Sequence, residues 1–274
     1  MCFYEPFHEA LSRSNAKKLL RDTHSSWNSR HPDLELPYRH EYLPLVGFGG
    51  IRGYQDKFAV ARYFPSEDGA APELQYLRRL SAHAARSGKS PVFGFSRSLA
   101  RSAAIKQAFG GYHIVIQRDP LQQWLSCRSY RVNDALPYFE LCHFLILALA
   151  PPGSPAARVA RHLGLPRPPD DRFRYQYRFL REALWPWSDE FSYRAFLAVY
   201  ELSFAIARPM ADLVIDMDRL HGDSPYGNKV RTEVLTRTGF TLNLGGCRMG
   251  SHDPSQVTFD VGAVERETSR ILRQ

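Results

Sequence analysis

The chain has 274 residues, of which 44% are hydrophobic, and a formal net charge of +8. This length and composition exclude a disordered chain and allow a sizeable core, in one large α/β domain or two small ones. The charge excess is mostly arginine, which makes planar paired contacts with phosphate or sulfate, so an anionic ligand is expected. Composition alone leaves open a nucleotide-binding enzyme, a nucleic-acid-binding protein or a basic solvated surface.

Neither a membrane segment nor a disulfide pattern is predicted. The longest apolar run, Leu141–Ala150, is too short to span a bilayer and contains His143. Glu5 and Pro6 stand close to Met1, where a secretory signal peptide would have a basic and then an apolar segment. The four cysteines have neither close pairing nor metal-ligand spacing. These features favour a soluble protein of a reducing compartment, the cytoplasm.

The opening stretch of the chain, Cys2–Glu9, begins with apolar and aromatic residues, as though a strand were entered partway. Within this opening Glu5 precedes Pro6, and His8 follows shortly after. One interpretation of Glu5 is that it only precedes a turn at Pro6. Beyond this stretch, apolar periodicity and turn residues predict a helix over 10–27, a loop region over 31–53, a short strand over 58–64 and a helix over 72–86.

A β-α-β unit is predicted next, with a strand over 90–96, a helix over 99–109 and a strand over 112–118. This alternation is typical of a parallel sheet. Arg97 and Arg101 follow the first strand and Arg118 ends the second, so all three are expected at the carboxyl edge of the sheet. There they could bind nucleotide phosphate or an anionic acceptor. For Arg97 and Arg101 the alternative is helix capping or pairing with an acidic residue.

The stretch 112–131 has the strongest local pattern in the sequence. Asp119 suits a helix N-cap and Pro120 the first helical position, so a helix is expected to begin where the strand ends. Arg118 would then lie beside a helix N-terminus, which is suited to bind a phosphate. Ser126, about two turns into the helix, could donate a hydroxyl to the same anion. The alternative is an ordinary β-turn-α unit with Arg118 in a surface ion pair.

The carboxyl-terminal half is predicted to be mainly helical. The expected elements are helices over 136–150, 191–206, 228–238 and 264–272, a strand over 212–220, and a Pro-rich linker or surface loop over 151–169. Between them, 171–187 interleaves arginine with aromatic residues. Such a run either binds single-stranded nucleic acid or forms an amphipathic element whose aromatics pack inward, and we favour the second. Asp216 and Asp218 are interpreted as part of a strand edge rather than a metal site.

The Arg118-to-Ser126 segment, with Trp124 between them, together with Glu5-Pro6, resembles the sulfotransferases that use 3′-phosphoadenosine 5′-phosphosulfate. The resemblance implies that Arg118 and Ser126 hold the 3′-phosphate and that Glu5 is the general base, with His8 a second candidate. Family members often return a basic, glycine-containing loop to the 3′-phosphate, and Arg248 is a candidate for that role. Arg97 and Arg101 complete the predicted cofactor-binding residues.

The chain departs from this family at one place. Sulfotransferases begin with a strand and a glycine-rich loop that cradles the 5′-phosphosulfate, and no such loop is found here. The glycine-rich stretch 47–50 does not open a helix with lysine and serine or threonine, and it follows the Glu-Pro stretch. The expectation is therefore a single α/β domain over 1–274, with a mainly parallel sheet flanked by helices. It would be a P-loop-type sulfotransferase fold missing its first β-α unit, through a misplaced start codon or a deletion.

By this resemblance the expected activity is transfer of a sulfuryl group to a hydroxyl or amine, without a metal. The partners would be the nucleotide donor and a small-molecule or carbohydrate acceptor, and loss of the loop is expected to impair turnover. Two alternatives stay open. One is a nucleotide-binding module without catalysis, and the other is a basic nucleic-acid-binding protein that uses 172–181. The sequence specifies neither the acceptor nor the oligomeric state.

Overall fold

The computed structural model describes residues 1–12, 39–66, 69–169, 172–220, 224–244 and 252–273. These residues form an α/β structure in which short strands are flanked by helices. The strands are β1 (Cys2–Tyr4), β2 (Val46–Gly47), β3 (Gly50–Ile51), β4 (Val92–Gly94), β5 (Ile114–Gln117) and β6 (Leu213–Asp216). The α-helices are α1 (Ala71–Arg86), α2 (Ser102–Phe109), α3 (Pro120–Asp134), α4 (Tyr138–Ala148), α5 (Pro155–His162), α6 (Phe173–Leu184), α7 (Asp189–Ala207), α8 (Pro225–Thr238) and α9 (Val261–Arg273).

The strands pair in three separate two-stranded sheets within the described residues. β1 pairs with β4 in parallel, with Tyr4 opposite Gly94 at the carboxyl end. β5 pairs with β6 in parallel, with Gln117 opposite Asp216 at the carboxyl end. β2 and β3 form a short antiparallel hairpin. The parallel character of the strands is confirmed, but the β-α-β unit predicted for the strands over 90–96 and 112–118 is not, because β4 and β5 belong to different pairs in the described residues.

One face of β5 is left uncovered. Val115 is buried in an apolar cluster with residues of α3 and α7, whereas Ile114 and Ile116 of the opposite face are exposed, Ile116 by 58%. Parallel strands in proteins are normally covered on both faces. The β5–β6 pair is therefore half-covered in the part of the chain that the structure describes.

The largest apolar cluster lies among α4, α5, α6 and α7, together with the turns that follow Phe58. A second cluster lies between β1 and α1, and a third between β5, α3 and α7. Helix α4 is buried on most faces because it packs against α3, α5, α6 and α7. This central helix joins the part of the molecule that carries β1 and β4 to the part that carries β5 and β6.

Most of the helices and strands lie where the sequence predicts them. The helix predicted over 72–86 is α1, and those over 136–150, 191–206, 228–238 and 264–272 correspond to α4, α7, α8 and α9. The predicted boundary at Asp119-Pro120 is confirmed in detail, since an Asp119 carboxylate oxygen accepts from the backbone N–H of Gln122 at 2.8 Å. The favoured interpretation of the Arg-aromatic run is also confirmed. Helix α6 buries Phe173 and Leu180, while Tyr175 stays outside.

Three predictions of local structure were wrong. The strand predicted over 58–64 is a series of turns, whose carbonyl groups bind a buried arginine described below. The linker predicted over 151–169 contains α5, because Ser154 caps a helix and Pro155 occupies its first position, where proline is tolerated. The loop region predicted over 31–53 contains the turn His40–Leu45 and the β2–β3 hairpin, while 31–38 lies outside the described residues.

The helix predicted over 10–27 falls largely outside the described residues. Its first residues belong to the short 3-10 turn Glu9–Ser12. None of the described helices is both long enough and apolar enough to cross a bilayer.

Candidate functional site

A small cleft opens where β1 and β4 end side by side. Because the two strands are parallel and in register, the residues that follow them meet at one edge, and the Glu5 amide continues the ladder by donating to the Gly94 carbonyl at 2.7 Å. The cleft is lined by Glu5, Phe7, His8, Phe95, Ser96, Arg97 and Ser98. It therefore combines the predicted base candidates with the loop that follows β4.

Glu5 is held in a strained conformation with its carboxylate buried. Its φ is 47°, in the left-handed region, and the side chain is 4% exposed. Such a conformation in a residue other than glycine costs about 1–3 kcal/mol and is found at functional sites more often than elsewhere. One carboxylate oxygen accepts from the Ser96 hydroxyl, and the other accepts from the Arg39 guanidinium at 3.3 Å. The strand end thus presents an oriented carboxylate at the edge of the cleft.

His8 lies beside Glu5 but is oriented as a donor. Its Nδ1 accepts from the Ala10 backbone N–H at 3.1 Å, so the proton of the neutral ring belongs on Nε2. Nε2 lies 3.6 Å from a Glu5 carboxylate oxygen and 3.4 Å from the Tyr138 hydroxyl. Burial lowers the pKa of His8 to about 4, although the neighbouring carboxylates of Glu9 and Glu5 oppose this effect. At neutral pH the ring is uncharged and has no lone pair available to a substrate, which leaves Glu5 as the better base candidate.

Arg97 is paired with Glu9 at the side of the cleft. Its guanidinium donates to Glu9 at 2.9 Å and to the Tyr138 hydroxyl, and it stacks 5.1 Å from the centre of the Tyr138 ring. Tyr138 in turn donates to Glu9 at 2.7 Å. Burial raises the pKa of Glu9, but the charges of His8, when protonated, and of Arg97 outweigh burial and bring this pKa to about 2. Arg97 borders the cleft after β4, and not an edge shared with Arg118 as predicted, because β5 belongs to a different strand pair; the charge of Arg97 is balanced by Glu9.

Arg101 is in the interior rather than at the edge. It is 1% exposed, and its guanidinium donates to the backbone carbonyls of Phe58 at 2.7 Å, Arg62 at 2.8 Å and Arg97 at 3.2 Å. It also lies 4.6 Å from the centre of the Phe7 ring. These contacts leave Arg101 no surface on which to meet a nucleotide phosphate.

Arg118 lies at the carboxyl end of β5, immediately before the Asp119 cap of α3. Its Nε is 3.7 Å from a carboxylate oxygen of Asp218, and its own carbonyl accepts from the Tyr200 hydroxyl at 2.7 Å. The other Asp218 oxygen accepts from the Asp119 amide at 2.6 Å. Asp218 therefore ties the ends of β5 and β6 together and orients a partly exposed guanidinium at the start of a helix.

Ser126 lies on the face of α3 to which the carboxyl-terminal segment returns. It is four residues after Gln122, so both side chains share one face of the helix. The Gln122 amide exchanges two hydrogen bonds with the His252 backbone, at 3.0 and 2.9 Å. No hydrogen bond is made by the Ser126 hydroxyl within the described ranges. Arg248 itself lies outside the described residues, and the chain that follows it is anchored one turn from Ser126.

Helices α3 and α4 each carry a free cysteine, Cys127 and Cys142. Burial raises the pKa of the Cys127 thiol, on α3, to about 12, and the charge of Arg118 partly opposes the rise. Burial likewise raises the pKa of the Cys142 thiol, on α4, to about 12, and there the opposing charge is that of Arg97.

In the part of the chain that the structure describes, no cluster of histidine, cysteine, aspartate and glutamate has the geometry of a metal site. Asp216 accepts from the Asp218 amide at 3.0 Å, which accounts for the orientation of one of the two neighbouring carboxylates.

Comparison with family models, with curated proteins and with solved structures gives no match to this chain.

Several residues of the cleft carry no sequence signal. Arg39 and Tyr138 reach Glu5 and Glu9 from 34 and 129 positions away, so only the fold reveals them. Ser96 and Ser98 could have been found, because they flank Arg97 directly after a strand whose end was predicted. Glu9 was part of the opening stretch, but nothing in its spacing marked it as the partner of Arg97.

A second histidine, His143, allows a prediction of how the free energy of unfolding depends on pH. His143 packs edge-on against Phe196, with ring centres 5.2 Å apart, and burial together with the charge of Arg97 lowers its pKa to about 4. The unfolded chain, with a histidine pKa near 6.5, takes up the proton first as pH falls, so stability is lost between about pH 6.5 and 4. In urea titrations, His143→Phe should lessen this loss by about 3 kcal/mol at pH 4.

The matched control for this prediction is His162→Gln, because His162 is an exposed residue of α5. The control should retain the wild-type loss of stability on acidification. Equal acid sensitivity of wild type and His143→Phe would contradict the assignment.

Proposed function

We propose that the protein transfers a sulfuryl group from 3′-phosphoadenosine 5′-phosphosulfate to a hydroxyl or amine acceptor. The proposal rests on the positions of Glu5, Arg118 and Ser126 relative to the two parallel strand pairs. A buried, oriented carboxylate, Glu5, follows β1 of one parallel pair, and Arg118 follows β5 of the other pair, just before the helix α3 that carries Ser126. In α/β proteins ligands bind at the carboxyl ends of parallel strands. The proposal includes a P-loop-type sulfotransferase relationship, which rests on the sequence motifs.

Glu5 is the proposed general base. Each carboxylate oxygen accepts one hydrogen bond within the protein and keeps a further lone pair for a substrate hydroxyl. As the acceptor oxygen attacks sulfur, its proton passes to Glu5, a new S–O bond forms, and the S–O bond to the donor phosphate breaks. The electron pair leaves with adenosine 3′,5′-bisphosphate. Arg39 and Ser96 hold the carboxylate in place for this step.

Arg118 and Ser126 are proposed to hold the 3′-phosphate. The N-terminus of α3, a helix of 15 residues, favours an anion, and the Arg118 guanidinium immediately before the N-cap Asp119 adds a paired donor. Ser126 supplies a hydroxyl two turns further along. The anchoring of His252 on Gln122 brings the carboxyl-terminal segment to the same helix face, which supports the inclusion of Arg248 in the proposed site.

The 5′-phosphosulfate has no cradle that we can assign in the described residues. Gly47 and Gly50 lie in the two strands of the β2–β3 hairpin, and this hairpin opens no helix. Binding of the nucleotide product is therefore the first property to test, because it depends on the 3′-phosphate residues rather than on the transferred group.

We expect adenosine 3′,5′-bisphosphate to bind the full chain at micromolar concentration in calorimetry, and Arg118→Ala to weaken binding. A hydrogen bond to a charged group contributes about 1.5–3 kcal/mol, which corresponds to roughly 10- to 150-fold in Kd. The matched control is Arg178→Ala, since Arg178 is an exposed arginine of α6 paired with Glu182 four residues on. Equal affinity of wild type and Arg118→Ala would refute the assignment of the phosphate site.

The same experiment separates the alternatives. Bisphosphate binding without turnover on any acceptor would favour a nucleotide-binding module without catalysis. Absence of bisphosphate binding, together with steeply salt-dependent oligonucleotide binding, would favour a nucleic-acid-binding protein. The structure gives that last alternative little support, because two of the aromatic residues of α6, Tyr177 and Phe179, pack against the largest apolar cluster.

A further inference from the structure

A negatively charged side chain, that of Asp218, stands at the proposed phosphate site. Asp218 follows β6, and one of its carboxylate oxygens lies 3.7 Å from the Nε atom of Arg118. The other oxygen accepts from the backbone amide of Asp119, the N-cap of α3, at 2.6 Å. A carboxylate at this position repels any fully deprotonated anion that approaches Arg118. The site therefore carries a group that weakens anion binding unless the ligand offers it a hydrogen.

The Asp218 carboxylate is both fixed by the backbone and accessible from solvent. Its own amide donates to a carboxylate oxygen of Asp216 at 3.0 Å, and the Asp216 amide donates to the Tyr226 hydroxyl at 2.9 Å. The side chain of Asp218 is 32% exposed and that of Arg118 is 23% exposed. One small anion can therefore reach both groups from the solvent.

Asp218 has acceptor capacity beyond these contacts. A carboxylate oxygen has two lone pairs, and the oxygen that accepts from Asp119 uses only one of them there. The 3.7 Å separation from Arg118 is longer than a direct hydrogen bond, so this contact is an ion pair only. Because an ionised carboxylate can accept but not donate, a ligand oxygen meets it favourably only when that oxygen carries a hydrogen.

This requirement separates two oxyanions of similar shape and charge, phosphate and sulfate. A phosphate group takes up a second proton with a pKa of about 6, so near neutral pH a share of it presents a P–OH donor. Sulfate is the anion of a much stronger acid and carries no proton in this range. The Asp218 carboxylate therefore forms a hydrogen bond with phosphate and a repulsive contact with sulfate.

Resting on the function proposed above, we infer that Asp218 makes the anion site at Arg118 selective for phosphate over sulfate. Arg118 donates to the deprotonated oxygens of the phosphate, and Asp218 accepts from the protonated one. The proposed donor carries both a 3′-phosphate and a sulfate group. Asp218 thereby directs the 3′-phosphate, rather than the sulfate group, to the N-terminus of α3. The residue determines specificity and takes no part in the transfer step.

The test is an NMR titration of the full chain with inorganic phosphate and with sulfate, at constant ionic strength and about pH 6, where phosphate is largely monoprotonated. The signal followed is the backbone amide of Asp119, which contacts Asp218 and so reports binding at α3 rather than elsewhere on a basic protein. In wild type, phosphate should bind about tenfold or more tightly than sulfate, the size expected for one hydrogen bond to a charged group.

Two variants show whether Asp218 causes this difference. Asp218→Asn keeps the size of the side chain and removes its charge, so the ratio of the two Kd values should fall to about one, mainly because sulfate binds more tightly. Asp134→Asn is the matched control, because Asp134 is an exposed residue at the other end of α3 and its replacement changes the net charge equally. The control should retain the wild-type ratio.

An unchanged ratio in Asp218→Asn would overturn the inference. An equal loss of affinity for both anions would also overturn it, because Asp218 would then have a structural role only. Titration of the same proteins with adenosine 3′,5′-bisphosphate keeps the two proposals apart. Bisphosphate binding without selectivity between the two anions refutes only the inference, whereas selective phosphate binding without bisphosphate binding supports the anion site and refutes the nucleotide donor. An Asp119 amide that responds to none of the three ligands refutes both.

Discussion

Replacing Glu5 by glutamine is expected to reduce the sulfuryl-transfer rate by about 10²- to 10⁴-fold, the usual contribution of a general base. Glutamine keeps the size of the side chain and one acceptor oxygen, so the contacts with Arg39 and Ser96 can be retained in part. What is lost is the group that takes up the proton of the acceptor hydroxyl. The change should therefore act on kcat and leave the affinity for adenosine 3′,5′-bisphosphate unchanged, because Arg118 and Ser126 are on other elements.

The measurements are turnover with 3′-phosphoadenosine 5′-phosphosulfate and a hydroxyl acceptor, and bisphosphate calorimetry on the same samples. Glu182→Gln is the matched control, since Glu182 is an exposed glutamate of α6. Glu5→Asp should recover part of the rate, because it restores a carboxylate at a slightly withdrawn position. Wild-type turnover in Glu5→Gln would exclude Glu5 as the base.

The Glu5 and Arg118 positions could be predicted because the signals are local. Asp119 and Pro120 specify the start of α3, so the sequence alone places Arg118 between a strand and a helix. Similarly, the apolar opening predicts a strand that ends at Glu5-Pro6. The left-handed backbone of Glu5 could not be predicted, because it depends on pairing with β4, which lies about 90 residues further along the chain.

The wrong predictions of local structure arise where a contact or a residue position outweighs the general pattern of the segment. Residues 58–64 have the apolar pattern of a strand, and Phe58, Val60 and Tyr63 are indeed buried. However, carbonyl groups of this segment accept from Arg101 rather than from a neighbouring strand, so the segment turns around a guanidinium. In 151–169 the number of prolines suggested a loop, whereas the position of Pro155 after Ser154 is compatible with a helix start.

The cleft residues that came only from the structure share this dependence on the fold. Tyr138 meets Glu9 because α4 packs centrally, and Arg39 meets Glu5 because the turn His40–Leu45, which follows Arg39, packs against β1. The carboxylates of Glu5 and Glu9 are balanced by Arg39 and Arg97 only because the fold brings these four residues together. The positions of Glu5 and Arg118 after strands were thus predictable, whereas the charge balance of the cleft was not.

Arg101→Met is expected to destabilise the protein by about 3 kcal/mol or more in urea unfolding, without a specific effect on nucleotide affinity in the folded protein. Arg101 donates to three backbone carbonyls, and each carbonyl left buried without a donor costs about 1–3 kcal/mol. Loss of the contact with Phe7 adds to this cost. Removal of a buried charge offsets part of the total, since burial already lowers the pKa of Arg101 to about 10.

Two further variants test this explanation against the nucleotide-binding role that the sequence suggested for Arg101. Arg101→Lys keeps the charge but offers a point donor instead of a planar fork, so its loss of stability should lie between those of wild type and Arg101→Met. Arg178→Met, at an exposed arginine of α6, should stay within about 0.5 kcal/mol of wild type. If Arg101→Met kept wild-type stability and lost bisphosphate affinity, the residue would belong to the donor site. The three carbonyl contacts instead make it the centre around which residues 58–64 fold.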